Sequence, residues 1–169
     1  MVIDMKKFFY YMNIFFVFSI LGFILETILI KDYQSGILYL PWTPIYGIAV
    51  LIAIPIQKRL SIRYKKPMEV LLFIILTMII LSGLEFIGGY SIEYIFNKIY
   101  WNYDYLKFNI GRYIALEMAL VWGIGSAISV YLLMPVFKKI EKHIPKWITI
   151  LLLGSFLLDI TVTFVVQMS

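Results

Sequence analysis

The sequence predicts an all-α integral membrane protein: a bundle of five transmembrane helices, with the N-terminus in the cytoplasm and the C-terminus outside. Three observations lead to this prediction. Hydrophobic residues make up 62% and charged residues 15% of the 169 residues, and the mean hydropathy is +0.90. Soluble domains are roughly 45–50% apolar, and so short a chain cannot bury this much apolar side chain in one core. Five apolar stretches come close to the length of about 20 residues that spans a bilayer. The segments between these stretches alternate between many and few Lys and Arg residues.

The five predicted spans run, in chain order, over about residues 8–30, 44–57, 69–96, 112–137 and 147–168. The first follows two lysines as a signal peptide does, but it is too long, lacks a small-residue cleavage site and carries Glu26, so we expect it to be retained. The second is short unless residues 40–43 extend it, and the third is long enough to tilt. No repeat and no Gly-, Ser- or Pro-rich linker divides the chain, which predicts a single domain over residues 1–169.

Charge bias predicts the orientation. Eleven Lys and Arg residues lie in the N-terminal segment and in the segments after the second and fourth spans; they are Lys6, Lys7, Lys58, Arg59, Arg63, Lys65, Lys66, Lys138, Lys139, Lys142 and Lys146. On the other side lie Lys31, Lys98, Lys107 and Arg112. Cytoplasmic segments carry the excess of Lys and Arg, so the larger set should be cytoplasmic. An odd number of spans then places the C-terminus outside.

Composition excludes several function classes. The chain has no Cys, which excludes disulfides and thiolate metal sites, and the lone His143 cannot form a metal site. No phosphate-binding loop of the G-x-x-x-x-G-K-[ST] type occurs, so the chain cannot be its own ATPase. The apolar composition excludes a soluble enzyme and a nucleic-acid-binding domain. We expect no metal, no cofactor and no nucleic-acid partner, and a location in the lipid bilayer of the cell membrane.

Five acidic residues lie within or close to the spans; they are Glu26, Glu85, Glu93, Glu117 and Asp159. A charge near the bilayer centre costs about 2.5–3.5 kcal/mol, and it normally faces a cavity or a partner. In the predicted orientation, all five acids fall between the membrane midplane and the outer surface. This asymmetry predicts a polar cavity that opens to the outside.

The third span carries the clearest polar face. Glu85, Gly89 and Glu93 follow one another at four-residue intervals and so share one side of a helix. Gly89 is expected to leave a hollow between the two carboxylates, and both should line one cavity. Polar stripes in the first and fifth spans include Glu26 and Asp159. The alternative is that such stripes only hydrogen-bond the bundle together, and it stays open, above all for Asp159.

Arg112 is the expected counter-ion, because it is the cation placed nearest the predicted depth of the acids. A guanidinium at the start of the fourth span can bind carboxylates through two parallel hydrogen bonds. We expect a salt bridge to one of four acids, Glu26, Glu85, Glu93 or Glu117. The alternative is an arginine that extends to the interface at a helix end. Asn109 is expected to cap the fourth span, and Gly111 to allow close backbone approach.

Prolines and glycines mark two further segments. Residues 41–47, Pro-Trp-Thr-Pro-Ile-Tyr-Gly, cannot be regular helix through both prolines, which predicts a bent or re-entrant start of the second span. The residues that define this motif are Pro41, Trp42, Pro44, Tyr46 and Gly47. In the fourth span, Gly123 and the small residues after it are typical of helix packing.

Six features occur in one order along the chain: Glu26, the 41–47 turn, Glu85 with Glu93, Trp101-x-Tyr103, Asn109-x-Gly111-Arg112, and Trp122-Gly123. This order resembles the ABC-transporter type IV family, the CmpB-like permeases, over about residues 10–137. The family has Trp-Asp-Tyr where this chain has Trp101-Asn102-Tyr103, so one acid is replaced or displaced to Asp104. The resemblance implies transport, and we count Trp101, Tyr103 and Asn109 among the candidate substrate-binding residues.

Together these features predict a membrane permease, or a substrate-binding transporter subunit, with an outward-facing acidic cavity for a small polar or cationic solute. Five spans leave only a narrow path, so a homo- or hetero-oligomer is expected. If ATP drives the system, a separate ATPase subunit must dock on the basic segments 58–66 or 138–146. Two alternatives remain open: a membrane-embedded enzyme that acts on lipid-linked substrates, and a non-catalytic assembly protein.

Overall fold

The computed structural model describes residues 4–30 and 37–168, so Lys31 of the predicted cation set lies outside the described residues. The helices are α1 (Met5–Ile30), α2 (Pro44–Arg63), α3 (Lys66–Phe96), α4 (Leu116–Ala127), a π-helical turn (Ile128–Leu133), α5 (Met134–Glu141) and α6 (Lys146–Met168). Five helical stretches are long and apolar enough to cross a membrane, one of which runs from α4 through the π-helical turn to α5. The described residues form no strand. The all-helical, five-span class is therefore confirmed, and the orientation of the termini stays a prediction.

The second helix is longer than predicted, because α2 continues to Arg63 instead of ending near residue 57. Its last turns contain Gln, Lys, Arg and Leu, which are good helix formers. Arg63 lies in the last turn, where the helix dipole favours a cation. α2 begins at Pro44. Proline is favoured at the first position of a helix, because the N–H that it lacks would have no hydrogen-bond partner within the helix. Residues 41–43 precede the helix, which agrees with the predicted bend.

The predicted start of the fourth span at Arg112 is wrong, because α4 begins at Leu116. Gly111 has a φ of 64°, and Ala115 is extended, with a φ of −145° and a ψ of 144°. Neither conformation continues a right-handed helix. An isolated antiparallel bridge joins Asn109 to Ala115, so Asn109 does not take the capping position that we expected. Arg112 therefore lies in the loop between α3 and α4.

The described residues group into two compact units. The first comprises Met1–Leu51 and Pro135–Ser169, and the second comprises Ile52–Met134. In both units, many Leu, Ile and Val side chains are exposed. Exposure of this kind is expected where lipid tails, and not protein, cover a helix.

Aromatic packing forms the core of the first unit. Phe15 and Phe16 of α1 form a buried cluster with Trp42, and the Phe156 ring of α6 lies within 6 Å of all three rings. Edge-to-face arrangements of this kind add to the free energy gained by burying the rings. A buried hydrogen bond of 2.6 Å, from Thr149 Oγ1 to Asn13 Oδ1, also joins α1 to α6.

Close helix packing forms the core of the second unit. Ala53, Phe73 and Val130 are buried together there. α3 and α4 come so close that a Cβ built on Gly123 would lie 2.5 Å from Met78 Cγ. Only a glycine fits at such a position without displacing its neighbour. The structure thus agrees with the packing role expected for Gly123.

Candidate functional site

Four of the nine predicted substrate-binding residues lie on the loop between α3 and α4, residues 97–115; they are Trp101, Tyr103, Asn109 and Arg112. Asn97 ends α3 in the left-handed conformation, with a φ of 51°, and its N–H donates to the Glu93 carbonyl oxygen at 2.8 Å. Farther along, the Tyr103 N–H donates to the Arg112 carbonyl oxygen at 2.8 Å. Gly111 supplies the positive φ that the turn before Arg112 requires. The loop thus folds back on itself and brings Arg112 to the C-terminal end of α3.

The Glu93 carboxylate accepts hydrogen bonds from two loop side chains. Arg112 Nη1 donates to Glu93 Oε1 at 2.6 Å, and the Tyr113 hydroxyl donates to Oε2 at 2.8 Å. The predicted salt bridge of Arg112 is therefore confirmed, with Glu93 as the partner. The Arg112 and Glu93 side chains stay 39% and 30% exposed, so a solute can reach this ion pair.

The carboxylate also shifts the pKa values of both donors. Its charge raises the pKa of Arg112 above the usual value, so the guanidinium stays protonated at any physiological pH. Burial raises the pKa of Tyr113, and the hydrogen bond to Glu93 raises this pKa further. Tyr113 therefore acts as a neutral hydrogen-bond donor.

A pocket of about 720 Å³ lies beside this ion pair. Its lining residues are Tyr90, Glu93, Tyr94, Asn97, Asp104, Gly111 and Arg112. Asp104 is exposed, and its carboxylate forms no salt bridge within the described part of the chain. Its N–H donates to the Asn102 side-chain oxygen at 2.8 Å, which fixes the local turn. The pocket thus presents two carboxylates and one guanidinium.

Gly89 does not leave the predicted hollow, because the Tyr113 ring fills it. A Cβ built on Gly89 would lie 2.5 Å from Tyr113 Cδ1. Glu85, one helical turn earlier, is only 5% exposed. It accepts hydrogen bonds from the Tyr103 hydroxyl at 2.5 Å and from Trp122 Nε1 at 2.9 Å. The expectation that Glu85 and Glu93 line one cavity is therefore wrong, since Glu93 lines the pocket and Glu85 is buried among aromatic side chains.

A sequence model of the family described as "Putative ABC-transporter type IV" matches residues 13–165. The chain belongs to this family. The match is longer than the resemblance over residues 10–137 predicted, because it also includes most of α6. No curated protein and no solved structure matches the chain. Membership of an ABC-transporter family and five apolar helices make this a multi-pass membrane protein related to transport.

Three motif residues of this ABC-transporter type IV protein contact other protein groups instead of lining the pocket. The Trp101 ring meets the Tyr113 ring edge to face, with centroids 5.9 Å apart. Tyr103 donates to the buried Glu85, and Asn109 forms the bridge that ends the loop. These contacts hold the loop in position. A direct role of these three residues in solute binding stays a prediction.

Glu117 also holds the loop in place. It lies in the first turn of α4, where the helix dipole favours an acid. Its Oε1 atom accepts a hydrogen bond from the Phe108 N–H at 3.2 Å. Glu117 thus ties the middle of the loop to the start of α4, and its predicted part in solute binding remains to be tested.

In the first unit, the Asp159 carboxylate organises the bend before α2. It accepts hydrogen bonds from the N–H groups of Tyr39 and Leu40, both at 3.0 Å, and from Trp42 Nε1 at 2.8 Å. A carboxylate in this position supplies acceptors for backbone donors that no helix or strand satisfies. The same contacts fix the proline turn at Pro41 against α6.

Glu26 lies farther along α1 and faces the beginning of α2. It accepts hydrogen bonds from Thr43 Oγ1, at 3.4 Å, and from the Tyr46 hydroxyl. The Tyr46 ring lies against Gly22, where a Cβ would overlap it, and Gly47 approaches α1 equally closely. The motif of residues 41–47 therefore joins α1 to α2 through small residues and one partly buried acid.

Sequence reasoning missed a polar cluster at the other end of α3. Glu69 is 3% exposed and accepts hydrogen bonds from Gln57 Nε2 at 2.8 Å, the Tyr131 hydroxyl at 3.0 Å and Lys66 Nζ at 3.2 Å. Tyr131 lies in the π-helical turn (Ile128–Leu133), an element that often marks functional positions. The only signal in the sequence was the Lys66-to-Glu69 spacing, which is common in first helical turns.

Proposed function

We propose that this protein is the membrane-spanning, solute-binding component of a transport system, and that its pocket binds a small polar or cationic solute. The observation that carries the proposal is the partly exposed Glu93–Arg112 ion pair, which lines a pocket together with the exposed Asp104 carboxylate. Ionisable side chains that face a cavity at a membrane span often mark the path of a solute or ion. The pocket volume falls in the range of about 300–1,000 Å³ that is typical of small-molecule sites.

The charges of the pocket favour cationic and neutral polar solutes over simple anions. Glu93 and Asp104 carry two negative charges, and Arg112 carries one positive charge. An anion at the guanidinium would be repelled by the charges of Glu93 and Asp104, whereas a cation is attracted by both carboxylates. Tyr90 and Tyr94 add aromatic faces, which attract cations.

We place the pocket on the outer side of the cell membrane. The support is the excess of Lys and Arg in the N-terminal segment and in segments 58–66 and 138–146, which favours a cytoplasmic position for them. The α3–α4 loop would then be external, and the C-terminus as well. A reporter fused after Ser169 should therefore behave as an external protein, and a cytoplasmic reporter signal would contradict this orientation.

We further propose that a separate subunit hydrolyses ATP and that the functional unit contains more than one chain. The family supports an ATPase partner, and this sequence has no phosphate-binding loop of its own. The exposed cations of segments 58–66 and 138–146 are the candidate docking surfaces, since acidic protein surfaces are attracted to such segments.

A thermal-shift screen of the purified, detergent-solubilised chain tests the proposal. We expect small ammonium-bearing or neutral polar solutes to raise the midpoint of unfolding, because a ligand that binds only the folded state stabilises it. Asp104→Asn should reduce the shift, and Asp4→Asn, at an exposed acid near the N-terminus, should not. A chain that no small solute stabilises would favour the assembly protein. Chemical conversion of a lipid-linked substrate would favour the enzyme.

A further inference from the structure

We infer that the pocket beside the Glu93–Arg112 pair binds a small zwitterion, whose ammonium group faces Asp104 and whose carboxylate faces Arg112. This inference rests on the proposed function, because it names the solute class of the same pocket. It follows from three properties of the lining: a guanidinium that retains free N–H donors, an exposed carboxylate that forms no salt bridge with the described residues, and the C-terminal end of a long helix.

The guanidinium of Arg112 retains donors for a ligand. Its salt bridge to Glu93 uses one nitrogen, Nη1, and one carboxylate oxygen, at 2.6 Å, and the guanidinium also forms a hydrogen bond with the Tyr113 side chain. A guanidinium has five N–H donors in a planar arrangement that matches a carboxylate. The side chain is 39% exposed, so a ligand carboxylate can approach it while the bond to Glu93 stays intact. Arg112 therefore forms the positive end of the pocket.

The negative end of the pocket consists of Asp104 and the end of α3. Asp104 is exposed and forms no salt bridge within the described ranges, and its charge acts on Arg112 from a distance. Its backbone N–H donates to the Asn102 side-chain oxygen. Asn97, the residue that directly follows α3, also lines the pocket. The carbonyl groups at a helix C-terminus carry partial negative charge and favour a nearby cation. A ligand ammonium group is thus attracted by a full and a partial negative charge.

A zwitterion matches both ends, and a singly charged solute matches only one. A simple cation at Asp104 gains that contact but is repelled by Arg112. A simple anion at Arg112 is repelled by Glu93 and Asp104. A zwitterion is attracted at both ends, because its ammonium group faces Asp104 and its carboxylate faces Arg112. This match of charges lets the pocket discriminate against solutes that carry a single charge.

Isothermal titration calorimetry on the full chain in detergent micelles tests the inference with five probes. Glycine betaine and glycine are zwitterions. Choline keeps the trimethylammonium group but has a hydroxyl in place of the carboxylate. In 3,3-dimethylbutanoate, carbon replaces the charged nitrogen, so only the carboxylate charge remains. The alcohol 3,3-dimethylbutanol has the same shape and no charge.

We expect at least one zwitterion to bind about tenfold more tightly than choline and 3,3-dimethylbutanoate. The reason is that each singly charged probe lacks one of the two charge-assisted contacts. If either singly charged probe, or the uncharged alcohol, binds as tightly as the better zwitterion, the inference is wrong and the proposed solute pocket stands. If no probe gives saturable binding, the result contradicts the proposed function as well.

Asp104→Asn gives a second, independent readout. The change should weaken binding of the zwitterions and of choline about tenfold. Binding of 3,3-dimethylbutanoate should stay the same or improve, because a repulsive charge is removed. This opposite response distinguishes a lost ligand contact from general damage to the pocket, since damage would weaken every probe. Asp4→Asn is the matched control, because it removes an exposed acid at the far end of the chain and should change none of the affinities.

Discussion

Glu85 and Glu93 are the same residue type, lie eight residues apart on one face of α3, and each accepts a hydrogen bond from a tyrosine hydroxyl. Their environments are nevertheless opposite. Glu85 is 5% exposed, and its second donor is the indole of Trp122. Glu93 is 30% exposed, and its second donor is the guanidinium of Arg112. A buried carboxylate between neutral donors is a scaffold element, whereas a carboxylate beside a cation at the edge of a pocket can exchange partners with a ligand.

The Tyr113 ring separates the two environments. It occupies the space that Gly89 leaves and is 2% exposed, and its hydroxyl points to Glu93. One aromatic residue thus closes the space between the carboxylates and at the same time positions the accessible one. The lesson is that two carboxylates on one helix face do not by themselves indicate a shared site.

The largest effect on stability is expected for Glu85→Ala. The change removes the acceptor of both the Tyr103 hydroxyl and the Trp122 N–H, and each buried donor left without a partner costs about 1–3 kcal/mol. We expect the unfolding free energy in micelles, measured by denaturant titration, to fall by about 2–6 kcal/mol in total. Glu85→Gln, which keeps one acceptor oxygen, should lose less. A loss no greater than that of Glu93→Ala would contradict the scaffold role of Glu85.

Gly89→Leu should have the next largest effect, because the new side chain would displace the Tyr113 ring. Overpacking of this kind typically costs about 1–3 kcal/mol, and displacement of Tyr113 should also disturb the pocket. Gly83→Leu is the matched control, since nothing lies within 4 Å of a Cβ at that position of α3. Thermal unfolding of the two variants should therefore differ, and equal midpoints would show that the ring does not occupy the glycine space.

Glu93→Gln should separate binding from stability. The Glu93–Arg112 pair is partly exposed, and such pairs contribute little to folding, so the unfolding midpoint should stay close to that of the unchanged protein. Solute binding, measured by calorimetry, should weaken, because Arg112 loses the partner that orients it. If binding is unchanged, the ion pair does not belong to the site.

The smallest effect is expected for Tyr113→Phe, and it should depend on pH. The pKa of Tyr113 is raised in the folded protein by burial and by the bond to Glu93. Its contribution to stability is therefore full below the unfolded pKa of about 10 and is lost as the pH rises through the higher folded value. The unchanged protein should lose more unfolding free energy between about pH 8 and pH 11 than Tyr113→Phe does. An equal loss in both would show that the pKa of Tyr113 is the same in the folded and the unfolded protein.

Sequence reasoning predicted correctly those features that depend on the thickness of the bilayer or on the properties of a single residue. The five spans follow from runs of apolar residues, and the bend before α2 follows from Pro41 and Pro44. Arg112 was paired correctly with an acid because few cations lie near the predicted depth of the acids. The start of α4 was missed because the residues between Arg112 and Leu116 are compatible with a helix. In the structure, a bridge between Asn109 and Ala115 keeps this segment out of the helix, and helical periodicity does not predict such a contact.

Residue composition and order are enough to predict five helices that are long and apolar enough to span a membrane, membership of an ABC-transporter type IV family, and the acids and arginine that are candidates for a site. These properties depend on composition, helical periodicity and motif order, all of which are local along the chain. The folded structure was needed to show that Glu85 is buried, that Glu93 lines a pocket, and that Tyr113 fills the space at Gly89. It also shows that Asp159 and Glu69 serve as hydrogen-bond acceptors. The physical reason is that a carboxylate takes its role from the donors that surround it, and those donors come from the loop and from other helices, up to 120 residues away.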